Sequence, residues 1–171
     1  MSAATVWPGL PQWIVLAVAA LRVAELIHAR RNSARLLAAG GQEHGAAHYP
    51  LFFVIQGAWL IALVALTPAD AAVAWPWLAI FVALQAARLW VIASLGRFWT
   101  TRIITLADAP VVDTGPYRWM RHPNYAIVAA EIAVLPLALG QWPIAVAALA
   151  PTLALLGHRI RVENTALADR R

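Results

Sequence analysis

Along the chain, long apolar runs alternate with short polar ones, and the runs have the length of a bilayer crossing. A hydrocarbon core of about 30 Å takes roughly 17 to 25 apolar residues as a helix. Three runs meet that requirement: Pro11 to His28, Tyr49 to Thr67 and Val73 to Leu95. A fourth apolar block, Tyr125 to Gly157, is too long for one helix and is interrupted by Leu135-Pro136, Gly140 and Trp142-Pro143. These breakers divide it into two linked spans, Tyr125 to Leu139 and Trp142 to Gly157, the first short enough to be tilted, re-entrant or partly buried in protein. The pattern predicts an all-α polytopic membrane protein with five transmembrane helices, residues 1–171 forming one membrane-embedded domain.

Arginine placement bears on the count independently, because short cytoplasmic loops collect basic residues. Arg30, Arg31 and Arg35 follow the first span, Arg97, Arg102, Arg118 and Arg121 the third, and Arg159, Arg161, Arg170 and Arg171 the fifth. The Met1 to Leu10 leader and the turns at Thr67 to Ala72 and Gly140-Gln141 carry none. Five spans, with the amino terminus outside and the carboxyl terminus cytoplasmic, satisfy this distribution; four or six do not. The first run holds Arg22 and Glu25 and has no basic residue before it, so it reads as a retained span rather than a signal peptide. Most tryptophans fall at the predicted boundaries: Trp7, Trp13, Trp75, Trp77 and Trp142 outside, Trp90, Trp99 and Trp119 inside, as an aromatic belt would place them.

Composition supports the membrane class. Apolar residues make up 62% and charged residues 12%, against about 45 to 50% and 25% in soluble domains. The net charge of +5 comes from 13 arginines with no lysine. In a soluble protein it would suggest nucleic acid, but here it reports topology, and no nucleic-acid partner is expected. The absence of cysteine removes disulfides, thiolate metal sites and cysteine nucleophiles, and no metal site is expected.

Ionisable groups inside spans cost about 2.5 to 3.5 kcal/mol each to insert and so call for a partner or a function. Arg22 and Glu25, three apart on one face, can pair locally. Arg88 is near enough to the inner end of its span to snorkel to the headgroups. Glu131 has no basic residue at helical spacing in its own span, so its partner is on another helix, on a ligand, or a proton. Gln56 and Gln85 can simply join helices. Of the connections, Ala29 to His48 reads as an interfacial segment with a glycine-rich end. Gly96 to Asn124 carries a dense polar run, Asp113 to Tyr125, in which Gly115-Pro116 forces a turn and Pro123 suits the first turn of the next helix. That helix start favours an anion, and Arg118 and Arg121 add positive charge; headgroup binding alone would also account for those arginines. Beyond the last span, Arg159 and Glu163 stand four apart on one face, which in isolation is an ordinary helix pair.

Gly115-Pro116-Tyr117, then Arg121-His122-Pro123-Asn124-Tyr125, then an Arg and a Glu four apart after a helical hairpin, resembles the isoprenylcysteine carboxyl methyltransferase family over about 85–167. The amino-terminal half is similar to a bacterial branch associated with O-methylation of phenolic lipids and pyrones. The resemblance implies S-adenosyl-L-methionine in a cytoplasmic pocket formed by the connection and the last two helices. It places Ala109, Pro110, Val111, Val112, Tyr117, His122, Pro123, Asn124, Tyr125 and Glu163 against the cofactor. Arg159 takes the substrate-facing arginine position, and Arg102 is the nearest counterpart of an upstream glutamine. The implied activity is methyl transfer to a carboxylate or phenolic oxygen of a lipophilic substrate at the inner membrane, with Arg159 as clamp for a carboxylate. Read from the residues themselves, Glu131, facing inward close to His122, is the candidate base for a hydroxyl, and its presence tilts the reading toward a hydroxyl acceptor. Two other classes stay open on sequence: a sterol-reductase-like enzyme using NADPH, and a non-catalytic lipid-binding protein. A transporter fits less well, because five spans without a repeat lack the usual two-fold scaffold.

Overall fold

The computed structural model describes residues 7–107 and 109–167; the residues before Trp7 and the basic pair Arg170 and Arg171 lie outside that range. Five helices carry the fold: α1 Leu10–Ala38, α2 Tyr49–Leu66, α3 Trp75–Leu95, α4 Pro123–Ala138 and α5 Trp142–Ala166. Four of them are long and apolar enough to cross a membrane, while α4, at 16 residues, is the shorter apolar helix. At 1.5 Å per residue it reaches about 24 Å, less than the hydrocarbon thickness. It is also heavily enclosed by protein, burying Ile127, Val128, Glu131, Ile132, Val134 and Leu135. Its chain passes through Pro136 and stops at Gly140, whose positive φ of 71° suits a residue without a Cβ.

The bundle has two ends that differ in composition. At one, Gln12 Nε2 donates to the Thr67 carbonyl at 2.7 Å, and the Ala74 amide donates to the Ala138 carbonyl at 2.8 Å. These bonds tie the starts of α1 and α3 to the ends of α2 and α4. Gly9 packs so closely on the Ala69 carbonyl that an added Cβ would lie 1.9 Å from its oxygen. At the other end the 39–48 and 96–122 connections and the carboxyl-terminal turns of α5 come together, and the arginine-rich segments gather there. A core of Val15, Val18, Trp59, Leu63, Phe81, Ile132, Leu135 and Leu139 lies between the two ends.

Three expectations are corrected. The fold is helical but not wholly so, because Gln42–His44 (β1) pairs antiparallel with Ile103–Thr105 (β2). The β-branched Ile103-Ile104-Thr105 run favours an extended chain, and each strand satisfies its backbone through the other. The 29–38 stretch is not a separate interfacial segment; α1 continues through it as one helix of 29 residues. Buried Asn32 fixes this extension, its Nδ2 donating to the carbonyls of Gly96 at 3.1 Å and Trp99 at 2.9 Å. Finally, Trp99 is no belt residue: it is 2% exposed and stacked on His28.

Candidate active site

At the arginine-rich end, the start of α4 and the last turns of α5 face each other across a cavity of about 190 Å³. His122 is the residue before the helix and Pro123 its first, so the two side chains that follow, Asn124 and Tyr125, leave the helix at its open end. His122 and Tyr125 stack with ring centroids 5.4 Å apart. Tyr125 donates its hydroxyl to Glu163 Oε2 at 2.8 Å, and His122 Nδ1 stands 3.6 Å from the same oxygen. Tyr117, on the turn at Gly115–Arg118, lines the same space. Burial, with Glu163 and Tyr125 as neighbours, raises the ionisation of the Tyr117 phenol well above its ordinary range, so it remains neutral.

Arg159 lies on the α5 face one turn before Glu163. It is buried, its Nη2 donates to the Thr101 carbonyl at 2.8 Å, and its guanidinium lies 5.7 Å from the Phe52 ring and 5.9 Å from the Tyr125 ring. Its Nε has no partner, and neither do the buried His122 Nε2 and Asn124 Oδ1. A buried polar atom without a partner costs about 1 to 3 kcal/mol. Three of them around one cavity mark a place where a polar ligand would complete the hydrogen bonding.

The structure thus brings Tyr117, His122, Asn124, Tyr125, Arg159 and Glu163 together, with Arg102 on the same wall. It does not bring in Ala109, Pro110, Val111 or Val112: none lines the cavity, and Val111 is 74% exposed. The Thr100 to Thr105 segment forms part of the wall, its Ile103–Thr105 strand paired with β1. Pro123 shapes the helix start without lining the cavity. Nor does Glu131 line it. Its Oε1 accepts from Gln85 at 2.7 Å and from Arg22 at 3.1 Å, and its Oε2 accepts from Arg88 at 3.2 Å. Arg88 does not snorkel outward; it turns inward to Glu131 and to Glu25, which also takes Arg22. Phe52 and Thr101 are cavity residues that sequence reasoning missed. Neither carries a sequence signal, since a phenylalanine in an apolar span and a threonine after one are both ordinary.

A helical membrane protein with this polar cavity at one end fits the class of membrane methyltransferases, and the comparisons with known proteins agree. The profile of the isoprenylcysteine carboxyl methyltransferase (ICMT) family matches residues 77–169, more than half of the chain, and the chain belongs to that family. It is similar to the uncharacterized protein YpbQ of Bacillus subtilis (strain 168), with 33% identity over 163 residues that cover 92% of this chain and 96% of that protein. No solved structure matches it.

Proposed function

We propose that the chain is an integral membrane enzyme that uses S-adenosyl-L-methionine to methylate an oxygen of a lipophilic acceptor. The observation that supports this most directly is the sharing of one cavity by His122, Tyr125 and Glu163, although 38 residues separate the last two in sequence. The donor set suits the cofactor. Glu163 supplies the negative charge its ammonium needs, and Tyr117, Asn124 and Tyr125 supply neutral hydrogen-bonding groups for its remaining polar atoms. When bound, the cofactor would supply an electrophilic methyl group, to which the acceptor oxygen would bond as the carbon–sulfur bond breaks with its electron pair left on sulfur.

The chain's own residues position the reactants and exclude water. Arg159, with its unpartnered Nε, holds the acceptor oxygen. A carboxylate acceptor arrives without a proton to lose. For a hydroxyl acceptor the proton passes to the unpartnered His122 Nε2, the ring's other nitrogen standing 3.6 Å from Glu163. In this reading Glu131, whose oxygens already receive three donors, is a structural anion and not the base. The arginines gathered at that end support five spans with the cavity facing the cytoplasm at the inner membrane.

Incubating membranes that contain the chain with S-adenosyl-L-methionine labelled in its methyl group, followed by mass spectrometry of extracted lipids, tests the proposal. A labelled lipid that depends on Glu163 is the expected result. No labelled lipid, together with saturable binding of NADPH and none of S-adenosyl-L-methionine, would favour the reductase reading.

A further inference from the structure

Arg159 is buried, yet among the described residues no carboxylate pairs with it. Glu163, four residues on and on the same helix face, is turned instead to Tyr125 and His122. What holds the guanidinium is the bond from Nη2 to the Thr101 carbonyl at 2.8 Å, with the Phe52 and Tyr125 rings 5.7 and 5.9 Å away. A hydrogen bond from a charged donor outweighs an i, i+4 pair on one helix. The Thr101 carbonyl therefore decides which way the guanidinium faces, and Nε is left without a partner.

That carbonyl needs fixing in its turn. Residues 100–102 lie between the turn at 96–98 and β2, in neither helix nor strand, so no backbone ladder sets their direction. Thr100 bonds within the stretch, its hydroxyl donating to the Arg102 carbonyl at 2.6 Å. Two ties come from outside it. Arg102 bonds Glu43, but that pair is partly exposed and such pairs hold little. The other tie is Tyr49, whose hydroxyl shares a hydrogen bond with the Thr101 hydroxyl at 2.8 Å. Tyr49 opens α2 and Phe52 stands one turn on. One turn of helix thus reaches Arg159 twice, through the Phe52 ring and, by way of Thr101, through the Tyr49 hydroxyl.

We propose that Tyr49 is a positioning residue for the methyl acceptor: by holding Thr101 it keeps the Arg159 guanidinium aimed at the acceptor's oxygen instead of letting it swing toward Glu163. This rests on the methyltransferase reading of the cavity, in which Arg159 holds the acceptor and Glu163 the cofactor. Held apart, the two opposite charges are free for two different ligands. Tyr49 precedes the 77–169 region that defines the family, so the acceptor clamp depends on a side chain from outside it.

The test uses the full chain in detergent with isotope-labelled arginine, where nuclear magnetic resonance reads the Arg159 Nε–H, assigned by its loss in Arg159→Lys. In the parent this buried proton is expected to exchange slowly with solvent and to give a signal apart from those of the exposed arginines. Tyr49→Phe removes the hydroxyl and keeps the ring that packs against Phe53 and Arg102. Thr101→Val removes the other hydroxyl and keeps the carbonyl. Each is expected to merge the Arg159 signal with those of the exposed arginines, and Thr101→Ser, which keeps a hydroxyl, restores it. Binding of S-adenosyl-L-methionine changes little, because an i, i+4 pair competes weakly for Glu163. Transfer of its labelled methyl to co-purified lipid slows by about fivefold, the worth of one hydrogen bond. The inference is overturned if the Arg159 signal in both Tyr49→Phe and Thr101→Val matches the parent, or if cofactor binding falls as far as methyl transfer does. Neither result touches the methyltransferase reading. A parent that binds no S-adenosyl-L-methionine ends that reading instead, and with it the acceptor's place beside Arg159, even where the Arg159 signal responds to Tyr49.

Discussion

The hydroxyl of Tyr125 donates to Glu163 Oε2 at 2.8 Å, so the first turn of α4 and the last turns of α5 meet through one side-chain bond. That bond closes one side of the candidate active site and sets the carboxylate beside His122. Glu163→Gln keeps the shape and removes the charge. A hydrogen bond involving a charged group is worth about 1.5 to 3 kcal/mol, so binding of S-adenosyl-L-methionine is expected to weaken by roughly 10- to 100-fold. Tyr125→Phe, which removes a single donor and leaves the carboxylate, weakens it by only a few-fold. Equilibrium binding of the radiolabelled cofactor in detergent measures both, and equal effects would contradict a charge role for Glu163.

Charge balance around Arg88 predicts a stability effect that is separate from activity. Arg88→Met leaves Glu25 and Glu131 with Arg22 as their one cation, and removing one partner of a buried ion network costs about 3 to 5 kcal/mol. Arg22 is more exposed than Arg88, and Arg22→Gln costs less. Thermal unfolding in detergent, followed by circular dichroism, is expected to rank Arg88→Met well below Arg22→Gln and the parent.

At the surface the opposite holds. Arg102 bonds Glu43 at 2.7 Å next to the paired strands, with 39% of its side chain exposed. The bond to Glu43, partly offset by burial, holds the guanidinium more firmly protonated. Exposed ion pairs contribute about 0 to 1 kcal/mol. Arg102→Ala therefore lowers thermal stability little, and that small difference shrinks further in high salt.

Alkaline titration reports on Tyr117. Its folded-state ionisation is raised above the unfolded value of about 10. The sign follows: its contribution is fully present below about pH 10 and is lost as the pH climbs toward the folded-state value, because the unfolded chain releases the proton first. Stability of the parent is expected to fall more steeply above about pH 10 than that of Tyr117→Phe. Melting temperatures across that range measure the difference, and parallel curves would contradict it.

Helix positions were legible because apolar length and breakers carry them: the starts of α2 and α5 fall where Tyr49 and Trp142 stand, and Pro123 opens α4. A polar run between apolar spans is conspicuous and drew His122 and Tyr125 into view, whereas Glu163, four residues from Arg159 beyond the last span, reads in isolation as an ordinary helix pair and entered only through the family resemblance. Glu131 is instructive for the opposite reason. Its sequence showed that a partner had to come from elsewhere, but three donors on two other helices are a tertiary fact that helical spacing does not encode. The β1 and β2 pairing was hidden likewise, because two three-residue strands separated by 58 residues leave no periodic signal. Ala109 to Val112 were assigned by position in a family pattern, and none of the four lines the cavity.

The pairing of Gln42–His44 with Ile103–Thr105 has a consequence for how the polypeptide can be divided. A fragment beginning at the family boundary would keep His122, Arg159 and Glu163, yet it would strip an edge from the strand beside them and leave the guanidinium at 88 without Glu25. The stretch that names the lineage thus leans on what precedes it: the part of the molecule before residue 77 supplies the pairing strand and Glu25, and swapping that portion between relatives would exchange supporting parts of the pocket rather than a mere anchor.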